Sequence, residues 1–60
     1  NKLLLTTTEA AERLGIGRST LYDLIRSNRL RTVKIGKRRL VPVDALVETI
    51  RAFEQEEYAA

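Results

Sequence analysis

Between residues 18 and 39 stand eight cations, Arg18, Arg26, Arg29, Arg31, Lys34, Lys37, Arg38 and Arg39, against the single anion Asp23. That stretch carries a net +7 in a chain of 60 residues whose total is only +3. From residue 40 onward the balance reverses, with Arg51 alone facing Asp44, Glu48, Glu54, Glu56 and Glu57. Guanidinium and ammonium groups at this density suit phosphate contacts on a polyanion, and the acidic half does not. Bond-making chemistry has little to work with. The chain has no histidine and no cysteine, which removes the usual general base, thiolate ligands, disulfides and every Ser-His or Cys-His pair. Ser19 or Tyr22 as a nucleophile would have nothing to activate it. A phosphate-binding loop at Gly15-Ile-Gly-Arg-Ser-Thr fails as well, because the Gly-Lys-Ser/Thr order and a preceding strand are missing. The expectation is a binding protein that is not an enzyme and uses no metal or cofactor.

Two short helices must position the first of these residues. Ala10, Ala11 and Leu14 recur at i, i+1 and i+4, and Leu21, Leu24 and Ile25 at i, i+3 and i+4, giving each segment one apolar stripe of helical period. The corner between them has a small residue, Ala11, at the crossing and Gly15 where a positive φ is needed. Ile16 plugs the corner, and Gly17 precedes the second helix as its cap. With its apolar stripe turned inward, that helix presents Arg18, Ser19, Tyr22, Asp23 and Arg26 outward. This is a helix-turn-helix pattern, whose second helix opens with the residues that reach base edges.

The remaining elements follow in order. Leu3-Leu4-Leu5 is an apolar lead, with Leu5 placed to staple against Ala10 and Leu3 or Leu4 over the corner. Thr6-Thr7-Thr8-Glu9 is a capping-box pattern that starts the first helix at Thr7. The second helix runs from Arg18 to Ser27 and stops at Asn28, which tolerates the left-handed conformation. Leu30 to Ile35 alternates with strand period, Gly36-Lys37 makes a tight turn, and Arg38 to Val41 returns, a two-stranded hairpin with a basic tip. Pro42 ends the return strand and suits the first turn of a third helix, with Asp44 near its positive end. Val43, Leu46, Val47, Ile50 and Phe53 then form one apolar face that roofs the other elements. Because that face is needed for the chain's own core, a free monomer is expected. Tyr58-Ala59-Ala60 is expected to fray, with a continuing helix that packs Tyr58 against a partner as the alternative.

Sixty residues hold one domain, spanning 1–60, and bury only about 60% of the unfolded chain's surface. No apolar run approaches the roughly 20 residues of a membrane span, and the opening Asn-Lys-Leu-Leu-Leu is too short for a signal-peptide core. A cytoplasmic protein without membrane contact is expected. The first residue is not methionine, so the chain reads as a fragment or a processed form as readily as a whole protein.

The order helix, corner, helix, basic hairpin, helix resembles the excisionase-type helix-turn-helix domains related to the MerR regulators. The residues that carry the resemblance are Leu5-Thr6, Glu9-Ala10-Ala11, Leu14-Gly15-Ile16, Arg18-Ser19-Thr20-Leu21-Tyr22, Leu24-Ile25, Ile35-Gly36-Lys37-Arg38-Arg39 and Pro42 to Leu46. They span nearly the whole chain. The resemblance implies a mainly α fold with a small β-hairpin, a winged helix-turn-helix that binds double-stranded DNA. It implies that the second helix enters the major groove with Arg18, Ser19, Tyr22 and Arg26. It implies further that the wing, Gly36 to Arg39, reaches phosphates or the minor groove through Lys37, Arg38 and Arg39. One departure is Gly17, where such domains often carry a serine or threonine whose hydroxyl could cap the helix and touch phosphate.

Members of that family include excisionases, or recombination directionality factors, of phages and mobile elements. These are thought to bind repeated sites beside one another and bend DNA so that a tyrosine or serine integrase excises the element. The resemblance also covers small transcriptional regulators, which is the alternative function. A protein-interaction module using the acidic third helix and Tyr58 is the alternative from another class.

Within this frame Arg18 is the candidate for bidentate guanine recognition, with phosphate contact next. Ser19 bonds a base or phosphate or is ordinary first-turn helix chemistry. Tyr22 lies on the sugar-phosphate backbone or packs on the wing. Asp23 orients Arg26 or Arg18, or accepts from cytosine. Arg26, Arg29, Arg31 and Lys34 flank toward phosphates, the arginines' stems also covering core. Among the wing residues, which alternate in direction, Arg38 is the leading choice.

Overall fold

The computed structural model describes residues 2–59; Asn1 and Ala60, and the expectations that touch them, lie outside it. Six elements follow one another: β1 (Leu4–Leu5), α1 (Thr7–Leu14), α2 (Arg18–Arg26), β2 (Val33–Ile35), β3 (Arg38–Pro42) and α3 (Val43–Ala59). Three helices and a small antiparallel hairpin make the mainly α architecture expected of a winged helix-turn-helix.

Local chemistry explains most boundaries. The Thr6 hydroxyl accepts from the Glu9 amide at 3.1 Å while the Glu9 carboxylate accepts from the Thr6 amide at 2.9 Å, a reciprocal cap that starts α1 at Thr7. Gly15 closes α1 at φ 72°, a left-handed conformation costly for any side chain with a Cβ. The Ile16 amide then turns back to the Ala11 carbonyl at 3.0 Å. Asn28, at φ 61°, takes the chain out of α2 one residue beyond Ser27, whose hydroxyl bonds the Asp23 carbonyl at 2.8 Å. Gly36 supplies the positive φ at the first turn position between Ile35 and Arg38, which pair directly. That is the requirement of a two-residue hairpin of type II′.

Four expectations need correction. First, the lead is a strand: Leu4 pairs with Pro42 and Leu5 with Val41, so the sheet has three antiparallel strands in the order β1-β3-β2. Leu5 is buried there, whereas Leu3 is 82% exposed and does not pack over the corner. Second, β2 starts at Val33 and not at Leu30. The Arg29 and Leu30 amides both donate to the Leu24 carbonyl, which keeps this segment as the close of α2 and drops Leu30 into the core. Third, Pro42 ends β3 as expected but stands before the first turn of α3, which begins at Val43. Fourth, α3 is rotated from the expected face. It buries Ala45, Leu46 and Thr49, while Val47, Ile50 and Phe53 stay between 41% and 46% exposed. The ground for expecting a free monomer is thereby lost.

The core gathers Leu5, Ala10, Ala11, Leu21, Leu30, Val41, Ala45 and Leu46, with Leu14, Ile16, Leu24, Ile25 and Val43 half-buried around it. Thr49 is its one buried polar residue among those described; its hydroxyl lies 3.0 Å from the carbonyls of both Arg29 and Ala45 and ties α3 to the end of α2. Seventeen residues of helix extend about 25 Å, so the C-terminal two turns of α3, all exposed, run on beyond the core. The helix continues through Ala59 rather than fraying at Tyr58, whose ring is 88% exposed. Among the described residues no helix is long and apolar enough to cross a membrane.

The α1 cap makes the fold sensitive to acid. Lys2 donates to Glu9 at 2.8 Å, and this bond first, with the Thr6 amide second, holds the Glu9 carboxyl at about 2 instead of 4.5. A depressed carboxylate contributes stability that is complete above pH 4.5 and is lost as pH falls toward 2. Thermal melts of the protein and of Glu9→Gln across this window should show a Tm that falls with acid in the first and falls less in the second. Identical pH profiles would remove Glu9 as a source of acid sensitivity.

Candidate nucleic-acid interface

The corner at Gly15 and Ile16 turns the chain from α1 into α2, and Leu21 of α2 is fully buried in the core. Burying that one side of α2 leaves Arg18, Ser19, Tyr22, Asp23 and Arg26 exposed together on the other. No side chain caps the start of α2, because Gly17 has none to offer. Its first amides are therefore open donors on the positive end of a helix dipole, at the point where Arg18 and Ser19 stand.

Within this face two side chains are held. Arg26 donates to the Asp23 carboxylate one turn before it, so the single acid of the face neutralises one of its cations and fixes its direction. The Tyr22 hydroxyl lies 3.1 Å from that of Thr7 at the start of α1. Thr7 first, and Arg18 after it, bring the Tyr22 phenol below its ordinary pKa of 10.0. Tyr22 is thus tied to α1 through Thr7.

The hairpin packs through β3 on α1 and α3. Lys34 pairs across the strands with Arg39, and Ile35 with Arg38, so the two pairs point to opposite faces of the wing. Arg39 donates to the Thr32 hydroxyl at 2.8 Å. Lys37 and Arg38, at the turn, are exposed. Arg18, Lys34, Lys37 and Arg38 form no ion pair among the described residues.

Arg29 and Arg31 have different surroundings. Arg29 pairs with Glu56 and stacks over the Phe53 ring at 4.1 Å from its centroid. Arg31 lies 2.6 Å from Glu48 and 3.3 Å from Asp44, and Glu48 is the main cause that raises its pKa further. Both point to α3 rather than to the exposed face of α2. These pairs are partly exposed, and such pairs contribute about 0–1 kcal/mol, so a phosphate could compete for either arginine. Sequence reasoning missed their partners and also Thr7. Asp44 and Glu48 at i, i+4 form a visible acidic row, but nothing local links it to Arg31. Thr7 and Tyr22 are fifteen positions apart and carry no shared pattern.

Two helices joined at the Gly15 corner, the second exposing a face that opens with Arg18, followed by a basic hairpin and a third helix, define a winged helix-turn-helix protein. The sequence comparisons agree with the geometry. Residues 4–53 match the model of the helix-turn-helix domain family, and the chain belongs to that family as an excisionase-type member. It is 50% identical over 48 residues to an excisionase of Streptomyces ambofaciens, covering 80% of this chain and 77% of that one. It is 44% identical over 46 residues to a probable excisionase of Saccharopolyspora erythraea, covering 77% of this chain and 47% of that one. A putative antitoxin, VapB50, of Mycobacterium tuberculosis is 48% identical over 46 residues, covering 77% of this chain and 35% of that protein. Apart from the first of these three, the chain spans about half or less of the relatives' length. No solved structure matches the chain.

Proposed function

We propose that this DNA-binding domain is a recombination directionality factor. It binds repeated sites in double-stranded DNA beside neighbouring protomers, bends the duplex, and so favours integrase-mediated excision of a phage or mobile element. The observation that carries the reading is the exposed basic face of α2 together with a basic wing tip that forms no ion pair among the described residues, in a chain 50% identical over 48 residues to an excisionase. In it, Arg18, Ser19, Tyr22, Asp23 and Arg26 form the major-groove face, and Arg18 reads guanine through two parallel hydrogen bonds. Lys34, Lys37, Arg38 and Arg39 neutralise phosphates from the wing, with Arg29 and Arg31 joining when phosphate displaces the α3 carboxylates. The mechanism is one of binding throughout, in the cytoplasm of a bacterial cell or its phage-infected host.

The test is an electrophoretic binding and bending assay on the attachment-site DNA of the chain's own element, a promoter fragment and an unrelated duplex. Cooperative, bent complexes confined to attachment-site repeats are expected. Tight binding to the promoter alone would replace this reading with that of a small transcriptional regulator. With about 5 phosphates neutralised, log affinity should fall against log salt with a slope near −4 to −5. A slope near zero would remove the nucleic-acid reading altogether.

A further inference from the structure

The rotation of α3 leaves an apolar groove of about 280 Å³ between it, the corner after α1, and α2. Ile16, Leu24, Ile50 and Phe53 line it, and Glu54 and Glu57 stand at its margin. Ile50 and Phe53 keep 46% and 41% of their surface open to solvent although they lie on the apolar side of their helix. The volume falls just below the roughly 300–1,000 Å³ of small-molecule sites, which suits a few anchoring side chains better than a whole ligand. Walls made by helices are the setting in which an amphipathic helix docks through residues spaced i, i+3 and i+4.

The charge of the margin selects the occupant. Glu48 and Glu56 already pair with Arg31 and Arg29, but Glu54 and Glu57 form no ion pair among the described residues. A second copy closing groove on groove about a two-fold axis would bring these carboxylates near their own counterparts, and DNA would bring phosphates against them; both juxtapositions are repulsive. A cationic helix is attracted by the same groups. Leu24 also lies on the side of α2 opposite Arg18, Tyr22 and Arg26, so the groove stays open while that face is engaged. We infer that this groove is a docking site for an amphipathic helix of another protein, with aliphatic anchors on one face and lysine or arginine beside them.

The test titrates the isotopically labelled chain with a helical peptide of about 18 residues. The peptide carries leucine at i, i+3, i+4 and i+7 and lysine at the flanking positions; a counterpart has every lysine replaced by glutamate. The lysine peptide should shift the amide signals of Ile16, Leu24, Ile50 and Phe53 and bind roughly tenfold tighter than the glutamate peptide. Ile50→Asp should weaken it by about the same factor with the circular dichroism spectrum unchanged. The double change Glu54→Lys with Glu57→Lys should invert the preference between peptides and serves as the second variant should Ile50→Asp unfold. Equal affinity for both peptides, no binding by either, or shifts confined to the Arg18 face would overturn the inference. So would self-association of the peptide-free protein abolished by Ile50→Asp, which would give the groove to a second copy.

Discussion

Replacing Arg18 with alanine is expected to abolish most discrimination between a specific site and a scrambled duplex while leaving weak binding to both. A bidentate arginine to guanine supplies about 1–3 kcal/mol against the wrong base, a loss of roughly fivefold to more than a hundredfold in the affinity ratio. Competition assays with the two duplexes at fixed salt measure that ratio. The salt slope should change by no more than about one, since a single cation is removed. Two further substitutions separate reading from anchoring. Tyr22→Phe and Thr7→Val each delete one hydroxyl of the 3.1 Å contact between α1 and α2. If that contact fixes Arg18, both variants share its loss at one base pair; if Tyr22 instead bonds phosphate, Tyr22→Phe weakens every sequence alike. Undiminished discrimination in Arg18→Ala would move base reading elsewhere on the helix.

The largest effect on the fold is expected at Leu21. Its side chain is fully buried, where α2 packs on the rest of the core. Leu→Ala at such a site costs about 2–5 kcal/mol. A domain of this length has roughly 3–9 kcal/mol of stability in all, so the variant should lose a large share of it and unfold at a clearly lower denaturant midpoint. Urea titration followed by circular dichroism is the measurement. Leu3→Ala, at an 82% exposed position, is the matched control and should stay within about 0.5 kcal/mol of the parent. A Leu21→Ala protein as stable as its control would mean that the corner is held by something other than this side chain. DNA binding should fall with the folded fraction, and saturating specific DNA should restore part of it by linkage.

Punctuation was legible because each signal acts over a few residues. The Thr6 and Glu9 pair starts α1, Gly15 and Asn28 take the left-handed conformations that end the first two helices, and Gly36 turns the hairpin. The apolar stripes of α1 and α2 face the core as their period required, which in turn exposes Arg18, Ser19, Tyr22, Asp23 and Arg26 together. Two leucines at the start could not announce a strand, since two residues show no period and only the approach of Val41 and Pro42 gives them hydrogen-bonding partners.

The same division runs through the candidate site. The amino-acid sequence by itself determined that a basic helix would be followed by a basic hairpin, because helix period, caps and turns are properties of neighbouring residues. Tertiary structure alone decided which cations are left open. Packing Ala45, Leu46 and Thr49 inward turns Glu48 and Glu56 toward Arg31 and Arg29, and it leaves Ile50 and Phe53 half uncovered. Five apolar positions on α3 offered a wider stripe than the sheet and two short helices could cover. Which part of such a stripe is buried depends on the shape of the facing surface, and a sequence period gives only its direction.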